Sequence, residues 1–148
     1  MCGITGHINF QKPVAVDDLQ AMNDAIKHRG PDGEGIFLNS SSSVGLGHRR
    51  LSFLDLSVAG KQPMESSAKN FISYNGEIYN YIELRNELKQ LGYTFHSHTD
   101  TEVILHGYHK CGVAVLSRLK GMFAFAIWDE SNQQLFLARD RFGIKPVY

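Results

Sequence analysis

The chain's pattern predicts an α+β layered fold, on three observations. Strand-like and helix-like segments are intermixed, but neighbouring strands are joined by short turns rather than by helical crossovers. The 148 residues fit one domain, and a domain of this size buries roughly 70% of the surface of its unfolded chain. Hydrophobic residues at 43% and charged residues at 20% are ordinary globular usage, which excludes a disordered or fibrous chain.

The elements follow in order. Ile4, Ile8 and Phe10, with Gly3 and Gly6 between them, predict a buried first strand. Asp17 and Asp18 are placed to cap a helix carrying Leu19, Met22, Ala25 and Ile26 at helical spacing. That helix stops at residues 28–33, where Gly30, Pro31 and Gly33 break it. Residues 40–43 read as a loop tip. Short strands are expected at 35–38, 44–48 and 71–74. Residues 81–92 predict an amphipathic helix anchored by Ile82, Leu84 and Leu88, and residues 100–112 a second one. Residues 122–129 and 134–139 are two apolar strands joined by Glu130-Ser131-Asn132-Gln133, a hairpin. Residues 143–148 read as a strand that stops without a polar tail, so the chain is expected to be the front part of a longer protein.

Composition excludes several function classes. Lys plus Arg and Asp plus Glu are both 15, so there is no electrostatic reason to expect nucleic acid or an anionic membrane surface as partner. The longest apolar run, residues 122–128, is far below the roughly 20 residues a membrane helix needs. Residues 1–7 lack the basic and apolar regions of a signal peptide. Two cysteines, Cys2 and Cys111, cannot build a disulfide framework, which points to a reducing compartment and a cytoplasmic location. The usual phosphate-binding glycine motifs are missing, so the chain is not expected to bind a nucleotide.

Four features can carry chemistry. Removal of Met1 would leave Cys2 as the first residue, its α-amine with a pKa near ~8 beside its own thiol, nucleophile and base in one residue. Otherwise Cys2 is a small buried hydrophobe. Asn75-Gly76 reads either as a turn or as two donors aimed at an oxyanion, where one such donor is worth ~3–4 kcal/mol. Of Arg49 and Arg50, either can offer a bidentate fork to a carboxylate. His96, His98, Asp100 and Glu102 alternate as metal ligands would in an extended segment, but Asp100-Thr101-Glu102 also reads as a helix start that breaks the alternation. No metal site is expected.

Taken together, the pieces resemble a known family. Met-Cys-Gly-Ile-x-Gly at 1–6, His-Arg-Gly-Pro-Asp-Gly at 28–33, Gly-His-x-Arg-Leu-Ser at 47–52, Tyr-Asn-Gly-Glu-Ile-Tyr-Asn at 74–80, Asp-Thr-Glu-Val-Ile at 100–104 and Arg-Asp-Arg-Phe-Gly-Ile-Lys-Pro-Val-Tyr at 139–148 occur in that order. The chain resembles the class II glutamine amidotransferase domain of glutamine-hydrolysing asparagine synthetases, over essentially its whole length.

The resemblance implies a four-layer αββα sandwich of the N-terminal-nucleophile hydrolase fold, truncated at its C-terminus. It implies hydrolysis of glutamine to glutamate and ammonia, with Cys2 as nucleophile and Asn75 and the Gly76 amide as oxyanion hole. Arg50 would bind the substrate α-carboxylate and Asp100 its α-ammonium. Leu51, Ser52, Phe53, Leu54 and Glu77 would complete the glutamine pocket; Phe53 and Leu54 stand where the family usually has Ile and Val. The partner implied is a C-terminal synthetase domain of the full-length protein. ATP and magnesium would serve only that domain, and no cofactor is expected here. The ammonia acceptor and the oligomeric state, a homo-oligomer included, stay open. So do two other readings: amidation of a different carboxylate in polysaccharide or natural-product biosynthesis, and a non-catalytic glutamine-binding or docking module.

Overall fold

A computed structural model describes residues 1–148. The chain runs β1 (Gly3–Ile8), α1 (Val16–Ala25), β2 (Gly33–Leu38), β3 (Val44–Arg50), β4 (Met64–Glu65), β5 (Asn70–Ile78), α2 (Tyr81–Gln90), α3 (Asp100–Cys111), β6 (Gly121–Asp129) and β7 (Gln134–Arg139). Two antiparallel sheets form, ordered β1-β3-β2 and β4-β5-β6-β7. They lie face to face through β1, β3 and β5, with α1 on the outside of the first sheet and α3 on the outside of the second. The result is the expected αββα sandwich. No helix is long and apolar enough to cross a membrane.

Side-chain alternation on β5 and β6 explains the layering. Ile72, Tyr74, Ile78, Phe123, Phe125 and Ile127 point toward α2 and α3 and form the main core with Leu84, Leu88, Val103, Ile104 and Leu105. Each such buried side chain contributes about 1.5–3 kcal/mol. The opposite faces meet the first sheet. Val44, Leu46, Ala126 and Trp128 form a compact apolar contact between the sheets. The outer face of β3 is kept flat by glycine, because a Cβ on Gly45 would come within 2.7 Å of Leu19 Cδ2 on α1.

Several expectations fail for identifiable reasons. β1 is an edge strand, so Ile8 is 40% exposed and Phe10, beyond its end, is 78% exposed. Asp17 and Asp18 do not cap α1: Ala15 occupies that position without a side-chain bond, and the two acids sit inside the first turn, where the helix dipole favours them. The buried face of α1 is Leu19 and Asn23, with Met22 turned outward. Residues 143–148 form no strand. The Asp140 carboxylate collects the N–H groups of Phe123, Phe142, Ile144 and Lys145, and this pulls the chain into a turn.

His48, fully buried between the sheets, joins them through Nε2, which lies 3.0 Å from the Tyr74 carbonyl. The adjacent Ser73 hydroxyl donates to the Gly47 carbonyl at 2.8 Å. Burial, helped by the charge of Arg50, pulls the His48 pKa from 6.5 down to about 4. The unfolded chain therefore binds a proton there that the folded chain refuses between these two values. The resulting stability is complete above pH 6.5 and is lost as pH falls toward 4, by about 3 kcal/mol. Urea midpoints at pH 7 and pH 4.5 should differ less for His48→Gln than for the wild type, whereas an equal drop in both would assign the acid sensitivity elsewhere.

Candidate active site

One cleft of about 390 Å³ opens where the two sheets meet the start of α3. It is lined by groups from distant parts of the chain, among them Cys2, Arg50, Asn75, Gly76, Glu77 and Asp100. The topology explains the convergence. Antiparallel pairing of Gly3 with Arg49 brings the beginning of β1 to the end of β3, so position 2 neighbours positions 50 and 51. The Leu51 N–H accordingly donates to Cys2 Sγ at 3.3 Å. β5 crosses the same end of the second sheet and brings Asn75 and Gly76.

Asn75-Gly76 is not a turn. Both residues sit inside β5, paired with Ala124 and Phe123 of β6, because a nine-residue ladder overrides local turn preference. Glycine is needed at 76: a Cβ there would meet the Met122 carbonyl oxygen at 2.3 Å and Phe123 Cα at 2.7 Å.

The two arginines separate cleanly. Arg49 is buried toward α1, donates to the Asn23 carbonyl at 3.0 Å and pairs with Asp24 and, at 2.6 Å, with Glu34. Arg50 points into the cleft, where its guanidinium donates to the carbonyls of Ser57, at 2.9 Å, and Asp55. A side chain on Gly60 would collide with that guanidinium, with a Cβ only 2.1 Å from Nη2.

Asp100 is 4% exposed and is the first residue of α3. Its Oδ2 accepts from the Tyr74 hydroxyl at 2.6 Å and from the Ile78 N–H at 2.9 Å. Burial pushes its carboxyl above the usual range against these donors. Burial, then the charge of Asp100, also raises Glu77, while Lys145 opposes. The alternating His96, His98, Asp100 and Glu102 do not share a face, because the last two lie on a helix. Glu102 instead accepts from the N–H groups of His96 and Ser97, both at 2.8 Å.

Leu51, Phe53, Leu54 and Glu77 line the cleft. Ser52 does not; its N–H donates to Asp32 Oδ2 at 2.8 Å. Phe53 is 77% exposed at the rim.

The family model described as the glutamine amidotransferase domain matches residues 1–148. The chain belongs to that family. Asparagine synthetase (glutamine-hydrolyzing) 1 of Bacillus subtilis is 45% identical over 152 residues, covering all of this chain and 24% of that protein. Amidase chry2 of Gibberella zeae is 39% identical over all of this chain and 24% of its own length. The chain thus spans less than a third of the curated relatives it matches, from 20% to 32% among the asparagine synthetases. The glutamine phosphoribosylpyrophosphate amidotransferase of B. subtilis, solved with ADP and GMP, superposes over 98% of this chain and 38% of that one with a TM-score of 0.77 at 23% identity. This likeness shows that the two chains share a fold.

Three features of this amidotransferase domain's cleft have no individual signal in the sequence. Tyr74 holds Asp100. Gln62 ties β5 to α3, accepting from the Tyr74 N–H at 2.7 Å and donating to Thr101 Oγ1 at 3.2 Å. Met1 lines the cleft, with its sulfur 2.6 Å from Nζ of Lys145, which is 1% exposed. Each of these roles depends on a partner more than ten residues away, which no local pattern encodes.

Proposed function

We propose that this domain hydrolyses glutamine to glutamate and ammonia through a thioester on Cys2, after removal of Met1. The observation that carries the reading is the convergence of Cys2, Asn75-Gly76, Arg50 and Asp100 on one cleft. Glutamine presents a zwitterionic head and a neutral amide tail. Arg50 takes the α-carboxylate and Asp100 the α-ammonium, which fixes the side-chain carbonyl within reach of Cys2. The freed α-amine accepts the thiol proton and the sulfur attacks the carbonyl carbon. Negative charge collects on the carbonyl oxygen, opposite the Asn75 amide and the Gly76 N–H. The tetrahedral adduct expels the amide nitrogen, which takes up the proton held by the α-amine and leaves as ammonia. Water then cleaves the γ-glutamyl thioester, returning the thiol and releasing glutamate. Leu51, Phe53, Leu54 and Glu77 supply the surrounding wall. Pairing both head charges makes the site reject analogues that lack either one, because the other partner would stay buried and unmatched.

In the full-length protein the ammonia passes to an ATP- and magnesium-dependent synthetase domain that amidates aspartate. The asparagine synthetase relatives, matched across this whole chain, support that destination. A second reading keeps the glutaminase chemistry and changes the acceptor; the equally complete match to amidase chry2 supports it.

The state of the first residue tests the mechanism. Met1 ties the Cys2 nitrogen into an amide and occupies the cleft wall. Full-length protein retaining Met1, verified by mass spectrometry, should release glutamate at least about 10²-fold more slowly than the processed form. Equal rates in the two forms would remove the α-amine from the mechanism.

A further inference from the structure

We propose that Asp55 is a positioning residue that sets the separation between Arg50 and Asp100, and so matches the cleft to the head group of an α-amino acid. This inference rests on the glutaminase reading above.

The loop between β3 and β4 holds the guanidinium of Arg50 through the carbonyls of Asp55 and Ser57, yet its apolar side chains do little to fix it. Phe53, Leu56 and Val58 are 77%, 80% and 90% exposed. Hydrophobic burial therefore gives this stretch little fixed position. The Asp55 side chain does the opposite of its neighbours: it is 8% exposed and turns inward. Its Oδ1 accepts from the Ser57 N–H at 2.8 Å, closing the loop into the carbonyl collar around Arg50. Its Oδ2 accepts from the His98 N–H at 2.9 Å, 43 residues away in sequence. His98 stands two residues before Asp100, at the entry to α3.

One carboxylate thus joins the collar of the cationic partner to the segment that delivers the anionic partner. These donors, the His98 N–H foremost, hold the Asp55 carboxyl at about 2. It is therefore an ionised acceptor at neutral pH. Without it, Arg50 keeps its charge but loses its distance from Asp100. The effect should fall on recognition of the head group and leave the sulfur chemistry untouched.

The test uses full-length protein and separates the two. Asp55→Ala should raise the KM for glutamine about tenfold or more while kcat stays within about threefold. Cys2 should be alkylated about tenfold more slowly by 6-diazo-5-oxo-L-norleucine, which carries the amino-acid head, and at an unchanged rate by iodoacetamide, which lacks it. Mass spectrometry of the Cys2 peptide reads both, apart from Cys111. Asp55→Asn, which keeps one acceptor oxygen, should recover part of the loss, and it carries the test if Asp55→Ala does not fold. Equal slowing of both reagents, or a fall in kcat with KM unchanged, would reduce Asp55 to general support of the fold. No change in either would overturn the role altogether. No glutamate release by the unaltered full-length protein would instead overturn the glutaminase reading itself.

Discussion

Cys2→Ala is expected to reduce glutamate release from the full-length protein by about 10³-fold or more, with the fold intact. The size of the effect follows from the covalent step, since no other side chain lining the cleft offers a comparable nucleophile. Tyr74 is the one other ionisable hydroxyl there, and burial beside Asp100 raises its pKa well above 10. The small structural cost follows from geometry. Cys2 is half-buried, and its sulfur touches only the main chain of Leu51, accepting from its N–H at 3.3 Å and donating to its carbonyl at 3.6 Å. Replacing the thiol by a methyl group loses those two contacts and little else, so the melting temperature should stay within a few degrees. A coupled glutamate assay beside a thermal melt checks both halves. Near-normal turnover in the variant would remove Cys2 from the chemistry.

Asn75→Ala should lower kcat by about 10²–10³-fold with KM for glutamine nearly unchanged, since an oxyanion donor acts on charge that develops after binding. The strand context keeps this substitution local: alanine is tolerated in a strand, and Asn75 pairs with Ala124. Gly76→Ala offers a contrast. Its Cβ would press on the Met122 carbonyl and Phe123 Cα, both main chain, so β5 must pull away from β6. That variant should lose stability together with activity, whereas Asn75→Ala should lose activity alone. Steady-state kinetics read against urea midpoints distinguish the two. An Asn75→Ala enzyme with unaltered kcat would mean that the oxyanion is held elsewhere.

Much of the architecture was legible because it rests on local periodicity. α2, α3 and the β6–β7 hairpin fall within two residues of their expected bounds, since alternating or helically spaced apolar residues record which face is buried. The errors cluster where a distant partner overrides a local preference. Asn75-Gly76 has the composition of a turn, but the ladder to β6 makes it strand. Residues 143–148 have the composition of a strand, but the Asp140 carboxylate takes the N–H groups of Ile144 and Lys145 and bends the chain there. Phe10 has the composition of core, but it lies past the end of an edge strand.

The residue types suited to the chemistry were written in the sequence: a cysteine at position 2, an amide-glycine pair, two adjacent arginines and an acid at a helix start. So were the α+β class and the ordered motifs that place the chain in its family. Residue by residue either arginine could face the cleft, and only the family resemblance singled out Arg50. The packing supplies the reason, because consecutive strand residues point to opposite sides and α1 covers the side of Arg49. It alone gave Asp55, Gln62 and Tyr74 their roles, because hydrogen bonds spanning 12 to 43 residues leave no periodic trace. Short-range patterns record burial, whereas the relative placement of two charges is a property of how the layers stack.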